Sequence, residues 1–268
     1  MHRRSNLALG CALAAIVTRL YAADVPTNAL PSIETVLKGI VERAEADARA
    51  EQEFEARYSF VRTKTREEYS SRGKVRKRGI EKEIHDPAQP KSGADPSPAV
   101  AGKRTDASRR HVPSAAVSGG EPPDRAYERR DILVTEGLLR RFQFTLVGRE
   151  VSEGLPLLKL DFRPATVSLP AKGLLERFIN RVAGTVWVDE ADFSVARASL
   201  YLTEKVNVGA GVLGSVSAFE CRFERRKIED GLWYTRLLDW RVECREFLVN
   251  KIIEQRETRG EVRKVTPP

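Results

Sequence analysis

The stretch GTVWVDEADFSVARASLYL, residues 184–202, places Asp189, Glu190 and Asp192 within four positions. Clustered carboxylates carry general acid–base chemistry or help to bind metal ions. They also build β-turns, because an Asp side chain accepts hydrogen bonds from nearby backbone amides. The flanking alternation favours the turn. Val186 and Val188 share one face before the acids, and Phe193 and Val195 share one after them. A loop of Asp189 to Asp192 then pairs Val188 with Phe193 and Val186 with Val195, which puts the acids at a solvated tip. A metal centre or a catalytic triad would also want histidine. Of the three histidines, only His85 falls in an ordered segment, at a strand end. The sequence GAGVLG, 209–214, matches the dinucleotide pattern G-x-G-x-x-G. That pattern works only with a helix after the glycines, whose amino end holds the pyrophosphate. Here the next residues alternate with period two and read as strand. The sequence therefore predicts no catalytic residue, no cofactor and no metal ligand, and the chain is expected not to be an enzyme.

The elements around these residues are mostly strands. In SVSAFECRFERRKIEDGLWYTRLLDWRVECREF, Asp230-Gly231 is a strong two-residue turn signal. It pairs Phe223 with Leu238, Cys221 with Trp240, Phe219 with Val242 and Ser217 with Cys244. The other face pairs Arg222 with Asp239 and Glu220 with Arg241, so one face is apolar and the other ionic. A final strand runs through IIEQRETRGEVRKV. Upstream, Ser152-Glu153-Gly154 closes a hairpin that pairs Leu146 with Leu160 and Phe144 with Phe162. The charged segment YSFVRTKTREEYSSRGKVRKRGIEKEIH folds about Arg72-Gly73. It sets Lys64 against Glu81, Arg62 against Glu83, Glu67 against Arg78 and Glu68 against Lys77. These basic residues are thus paired within the sheet, and no nucleic-acid stripe is expected. Helical spacing of Ile33, Val36, Leu37, Ile40, Val41 and Ala44 predicts a helix over 32–53, interrupted in propensity by Gly39. Shorter helices are expected over 131–140 and where Leu174, Leu175, Phe178, Ile179 and Val182 share one face.

The chain opens MHRRSNLALGCALAAIVTRLYAADVP, with a basic start, an apolar run from Leu7 to Val17 and small residues at Ala22 and Ala23. This predicts a secretory signal over 1–23, cleaved near Ala22 or Ala23, and an exported, periplasmic protein. Removing Arg3, Arg4 and Arg19 lowers the formal charge from +8 to +5. That surplus suits transient contact with anionic surfaces. Residues 24–268 read as a single domain interrupted at 87–124 by an insert rich in Pro, Ser, Ala and Gly. Such a composition buries too little to offset its ordering entropy. Deleting 87–124 is expected to leave the thermal midpoint nearly unchanged; a large loss in a melting experiment would show that the segment packs. Cys221 and Cys244 face the same side but stand four register positions apart. At ~3.3 Å per residue that separation is roughly 13 Å, beyond disulfide reach.

Three segments together resemble a known family: RRFQFTLVGREVSEGLPLLKLDFRPA, GTVWVDEADFSVARAS with Trp187 and Asp189, and FECRFERRKIEDGLWYTRL with Gly231 to Trp233. They are similar to the periplasmic lipoprotein-carrier (LolA-like) superfamily and its outer-membrane lipoprotein-sorting group. The resemblance implies a mainly β fold with some α. Its long antiparallel sheet curves into an unclosed half-barrel, with helices packed on the concave face. It implies a monomer that binds lipid or lipoprotein acyl chains between sheet and helices. Candidate groove residues are Phe144, Leu146, Leu158, Leu160, Phe219, Phe223, Leu238, Trp240 and Val242. The alternative is a regulatory or scaffolding module that binds an envelope protein through the same fold.

Overall fold

The computed structural model describes residues 29–88, 134–167, 169–208 and 214–265. The expected signal at 1–23 and, apart from Pro87 and Ala88, the expected insert lie outside them, as do residues 209–213 of GAGVLG.

Ser32 caps the first helix by accepting a hydrogen bond from the Thr35 amide at 3.2 Å. Helix α1 (Ile33–Arg57) runs four residues beyond the expected end and buries Val36, Gly39, Ile40, Ala50 and Phe54. Among the described residues there are ten strands: β1 (Tyr58–Ser70), β2 (Val75–His85), β3 (Phe142–Ser152), β4 (Leu155–Pro164), β5 (Val182–Asp189), β6 (Val195–Leu202), β7 (Val206–Val208), β8 (Gly214–Glu229), β9 (Leu232–Glu246) and β10 (Val249–Lys264). Two short helices complete the set. Helix α2 (Glu136–Leu139) precedes β3, and α3 (Leu174–Ile179) precedes β5.

The strands form one antiparallel sheet in the order β2-β1-β10-β9-β8-β6-β5-β4-β3, with β7 on the side of β8. The two end strands do not meet, so the sheet is an unclosed half-barrel. Three hairpins have the register that their side chains dictate. Lys64 faces Glu81 and Glu67 faces Arg78; Phe144 faces Phe162 and Leu146 faces Leu160; Phe223 faces Leu238, Cys221 faces Trp240 and Phe219 faces Val242. Asp230-Gly231 makes the last turn, with Gly231 at φ 70°. Cys221 and Cys244 are free.

Three expectations need correction. A bulge after Val216 shifts the register, so Cys244 faces Val216 rather than Ser217. Val188 faces Val195 and Val186 faces Ala198, because the turn between β5 and β6 is wider than four residues. Val182 is the first residue of β5, not part of a helical face. Helix α3 stops at Ile179 because Asn180 turns inward, donating to the Leu169 carbonyl at 2.8 Å and accepting from Arg141 at 2.9 Å. From Gly214 onward the chain is strand β8, where a dinucleotide site requires a helix.

Helix α1 lies across one face of the sheet and is held at three places. Near its start, Val36 and Ile40 pack on Leu158, Leu160 and Val188, with Phe144, Leu146 and Phe193 around them. Near its end, Phe54 stacks on Tyr58, Phe60 and Tyr234 at ring distances of 5.2, 5.3 and 4.6 Å. The β9–β10 ladder stops at Leu237 and Thr258, and Leu232 and Tyr234 beyond that point join the Phe54 cluster. The third attachment, midway along α1, is made at the β5–β6 turn, where Ser194 accepts from Arg43 and donates to Asp47.

Candidate functional site

Antiparallel pairing carries a side chain straight across neighbouring strands, so each register row is a line on one face of the sheet. One row runs Leu146, Leu160, Val186, Ala198, Phe223, Leu238 and Glu257. The adjoining row runs Phe144, Phe162, Gly184, Leu200, Cys221, Trp240 and Gln255. A third joins Phe219, Val242 and Ile253, and Leu158 faces Val188. All nine candidate groove residues therefore lie on the face that α1 crosses.

They do not share one environment. Leu158 and Leu160 have no accessible surface and are sealed beneath α1, with Phe144 and Leu146 beside them. Phe223, Leu238, Trp240 and Val242 are half-buried and belong to none of the packed clusters. Phe219 is also half-buried and meets Phe178 of α3 edge-on at 5.0 Å. The β3–β4 end of the face is thus core. The β8–β9 part is an apolar strip between α1 and α3 that stays accessible.

On the opposite face, Leu157, Ala196 and Trp233 pack with Leu155 and Trp187, while the part formed by β1, β10, β9 and β8 is ionic. A cleft of about 540 Å³ is lined by Thr65, Arg256, Asp239 and Arg222, by Glu67, Glu254, Arg241 and Glu220, and by Cys221, Trp240 and Gln255 of the row between them. Arg256 reaches Asp239 at 2.6 Å and Arg241 reaches Glu254 at 3.3 Å. Charged side chains dominate this cleft, which does not suit an acyl chain.

The acids at the β5–β6 turn are not at a solvated tip. Asp189 is 1 % exposed and accepts from the amides of Ala191 at 2.7 Å and Asp192 at 3.1 Å. Glu190 forms a two-pronged pair with Arg149. Asp192 accepts from the Trp233 indole at 3.0 Å and from the Ser194 amide at 2.9 Å. Arg43 of α1 donates to Asp47, to the Ser194 hydroxyl and to the Gly231 carbonyl. Asp47 also accepts from Ser194 at 3.0 Å and from Arg225 at 2.5 Å. These groups form a clasp that fastens the middle of α1 to two hairpin turns. The turn reading holds, but the acids are structural and half-buried or buried. Burial alone would push Asp192 up; the indole, Ser194 and Arg43 outweigh it and hold its carboxyl below the usual range. Among the described residues no group of three or more His, Cys, Asp or Glu is placed to hold a metal ion. His85 bonds the Glu55 carbonyl at 2.6 Å and stacks on Phe60. Cys221 is buried, and burial first, then Asp239, pushes its thiol up to about 11, which disfavours the thiolate.

A second ionic lock closes the α1–β1 corner. Glu229 accepts from Lys264, from the Tyr58 hydroxyl and from Arg57, and these hold its carboxyl down at about 2. Its folded value lies below the ordinary 4.5. Its stabilisation is therefore complete above pH ~4.5 and is lost as the pH falls toward 2. A series of melts across that window should show a steeper fall for the native protein than for Glu229→Gln. Parallel curves would remove Glu229 from the acid response.

Gly39 was legible only as a flaw in the helix. A Cβ there would lie 2.4 Å from the Phe193 ring, so the glycine is what lets this ring lie flat against α1.

No family model and no curated protein matches the chain. Among solved structures it is similar to an outer membrane lipoprotein-sorting protein domain from Vibrio parahaemolyticus, with 13 % identity, 88 % of this chain and 94 % of that one covered, and a TM-score of 0.33. It is also similar to a LolA superfamily protein from Nitrosomonas europaea, with 10 % identity, 87 % and 94 % coverage and a TM-score of 0.30. A DUF1329 family protein from Desulfovibrio piger shows 13 % identity, 89 % and 95 % coverage and a TM-score of 0.31.

Proposed function

We propose that the protein is a non-enzymatic, exported carrier that holds lipid or the acyl chains of a lipoprotein against the β8–β9 strip, as a monomer in the periplasm. The observation that carries this reading is the half-buried row of Phe223 and Leu238 beside Trp240, Phe219 and Val242. These five apolar side chains share one face with a sealed core, yet no packed cluster takes them up. Apolar surface held open in this way gains free energy when hydrocarbon covers it. Helix α1 and Phe178 of α3 bound the strip on either side, so a chain lying between them would lose most of its contact with water.

Mass spectrometry of gently purified protein tests this directly. The expected result is lipid retained near one equivalent and lost when the strip is made polar. A lipid-free protein whose strip variants behave like the native chain would overturn the carrier reading. It would favour instead an envelope module that binds a protein partner.

A further inference from the structure

The most exposed large apolar side chain among the described residues is Leu248, at 93 %. It sits in the two-residue turn Phe247-Leu248 between β9 and β10, closed by the pairing of Glu246 with Val249. Phe247 is 61 % exposed and Val249 47 %. Phe247 also has φ 53°. A tight hairpin turn normally assigns that left-handed position to Gly, Asn or Asp, and a bulky residue there is strained. The chain thus maintains an aromatic and a leucine in water, on a turn that a glycine would close at lower cost. Strain of this kind, at a site that gains nothing in packing, points to a role outside the fold.

The neighbouring turn supplies the charge. Ser70 of β1 faces Lys251 of β10, so the β1–β2 turn and the Phe247-Leu248 turn leave the sheet at the same end. The strands β2, β1, β10 and β9 are consecutive, and at about 4.8 Å per strand the two tips stand roughly 10 Å apart. From Tyr69 to Ile80 there are five basic residues and no acid. Arg78 turns to Glu67. Arg72, Lys74 and Arg76 are exposed and make no ion pair among the described residues, and Lys77, opposite Glu68 in the ladder, is exposed and does not close an ion pair with it. An apolar tip beside unpaired cations is the pattern that inserts into the interface of an anionic bilayer.

We infer that the Phe247-Leu248 turn, with the basic β1–β2 turn beside it, is a docking site for an anionic membrane surface. The strip row Phe219, Val242 and Ile253 lies toward this same end, because Ile253 faces Glu68 only two residues before Ser70. Docking does not depend on the carrier reading, since vesicle binding and lipid retention are measured separately.

The test is sedimentation with sucrose-loaded vesicles of phosphatidylethanolamine and phosphatidylglycerol, beside vesicles of phosphatidylcholine alone. All proteins carry the same N-terminus, so any contribution from residues 1–23 cancels. The native protein should bind the anionic vesicles more tightly. Phe247→Gly with Leu248→Ser should lower that binding about tenfold or more, because two apolar side chains no longer enter the bilayer. The thermal midpoint should hold or rise, since glycine relieves the turn. Arg72→Glu with Lys74→Glu should weaken binding several-fold at low salt, with the difference closing at high salt. Unchanged vesicle binding by the turn variant would overturn the inference. So would native protein that ignores anionic vesicles, including the case in which the turn is needed only to retain a protein partner.

Discussion

Replacing Gly39 with valine will loosen α1 from the sheet and lower the thermal midpoint by several degrees. Three ring carbons of Phe193 lie 2.4 to 2.9 Å from where a Cβ on residue 39 would stand. The ring cannot simply swing aside. Phe193 has φ 57°, its amide is bonded to the Asp189 carbonyl at 3.0 Å, and the next residue, Ser194, is fully buried in the clasp. Overpacking a filled core in this way costs about 1–3 kcal/mol. Helix propensity argues the other way for the smaller change. In an exposed helix, Gly→Ala would stabilise by about 1 kcal/mol. The sign of Gly39→Ala therefore decides which effect dominates. Destabilisation shows that close contact with the Phe193 ring dominates; stabilisation would mean that this ring has room to move and that the clasp is softer than its geometry indicates. If α1 lifts in the valine variant, Leu158, Leu160 and Val188 lose their cover, and binding of a hydrophobic dye should rise as the midpoint falls.

The parts of this architecture that could be read from sequence are those whose determinants are local. The β8–β9 register follows from Asp230-Gly231 and from period-two alternation, which leaves only one pairing with apolar residues on one side and charges on the other. The first hairpin is legible from charge alone, since Lys64 with Glu81 and Glu67 with Arg78 meet only in one register. What could not be read depends on residues far apart in the chain. Nothing near Asp192 announces that Trp233 and Arg43 will converge on it from 41 and 149 positions away. Without those partners, three acids in four positions look like a solvated tip. With them, Asp192 joins the clasp that holds α1, Glu190 is taken up by Arg149, and Asp189 bends the loop by taking up two amides, which moves Val188 from Phe193 to Val195. The exposed Phe247-Leu248 turn was hidden for the opposite reason. Its sequence has no turn signal, because neither residue favours the conformation of a tight turn. The division of the nine groove residues is likewise set by where α1 lies, which the alternation of the strands does not encode.

That division makes Trp240 the residue on which the carrier reading turns. Had it lain with Leu158 beneath α1, an arginine there would unfold the protein, because an unpaired buried charge costs several kcal/mol against a marginal total stability. Instead Trp240 is half-buried, between Gln255 and Cys221 in its row. A long side chain at this position can carry its charge to water while its stem covers the strip. Trp240→Arg should therefore fold, with a circular dichroism spectrum like that of the native protein and a midpoint within a few degrees of it. An acyl chain laid along Phe223 and Leu238 would trap that guanidinium away from water. Glu257, in the adjoining row, is already engaged by Arg62 at 3.0 Å and offers no free partner. Desolvating the charge without a partner should weaken binding of a fluorescent fatty acid by well over tenfold. An unfolded variant would make the strip part of the core and remove the groove. A folded variant that binds as well as the native protein would place the acyl chains elsewhere, and the β8–β9 strip would lose its assigned role.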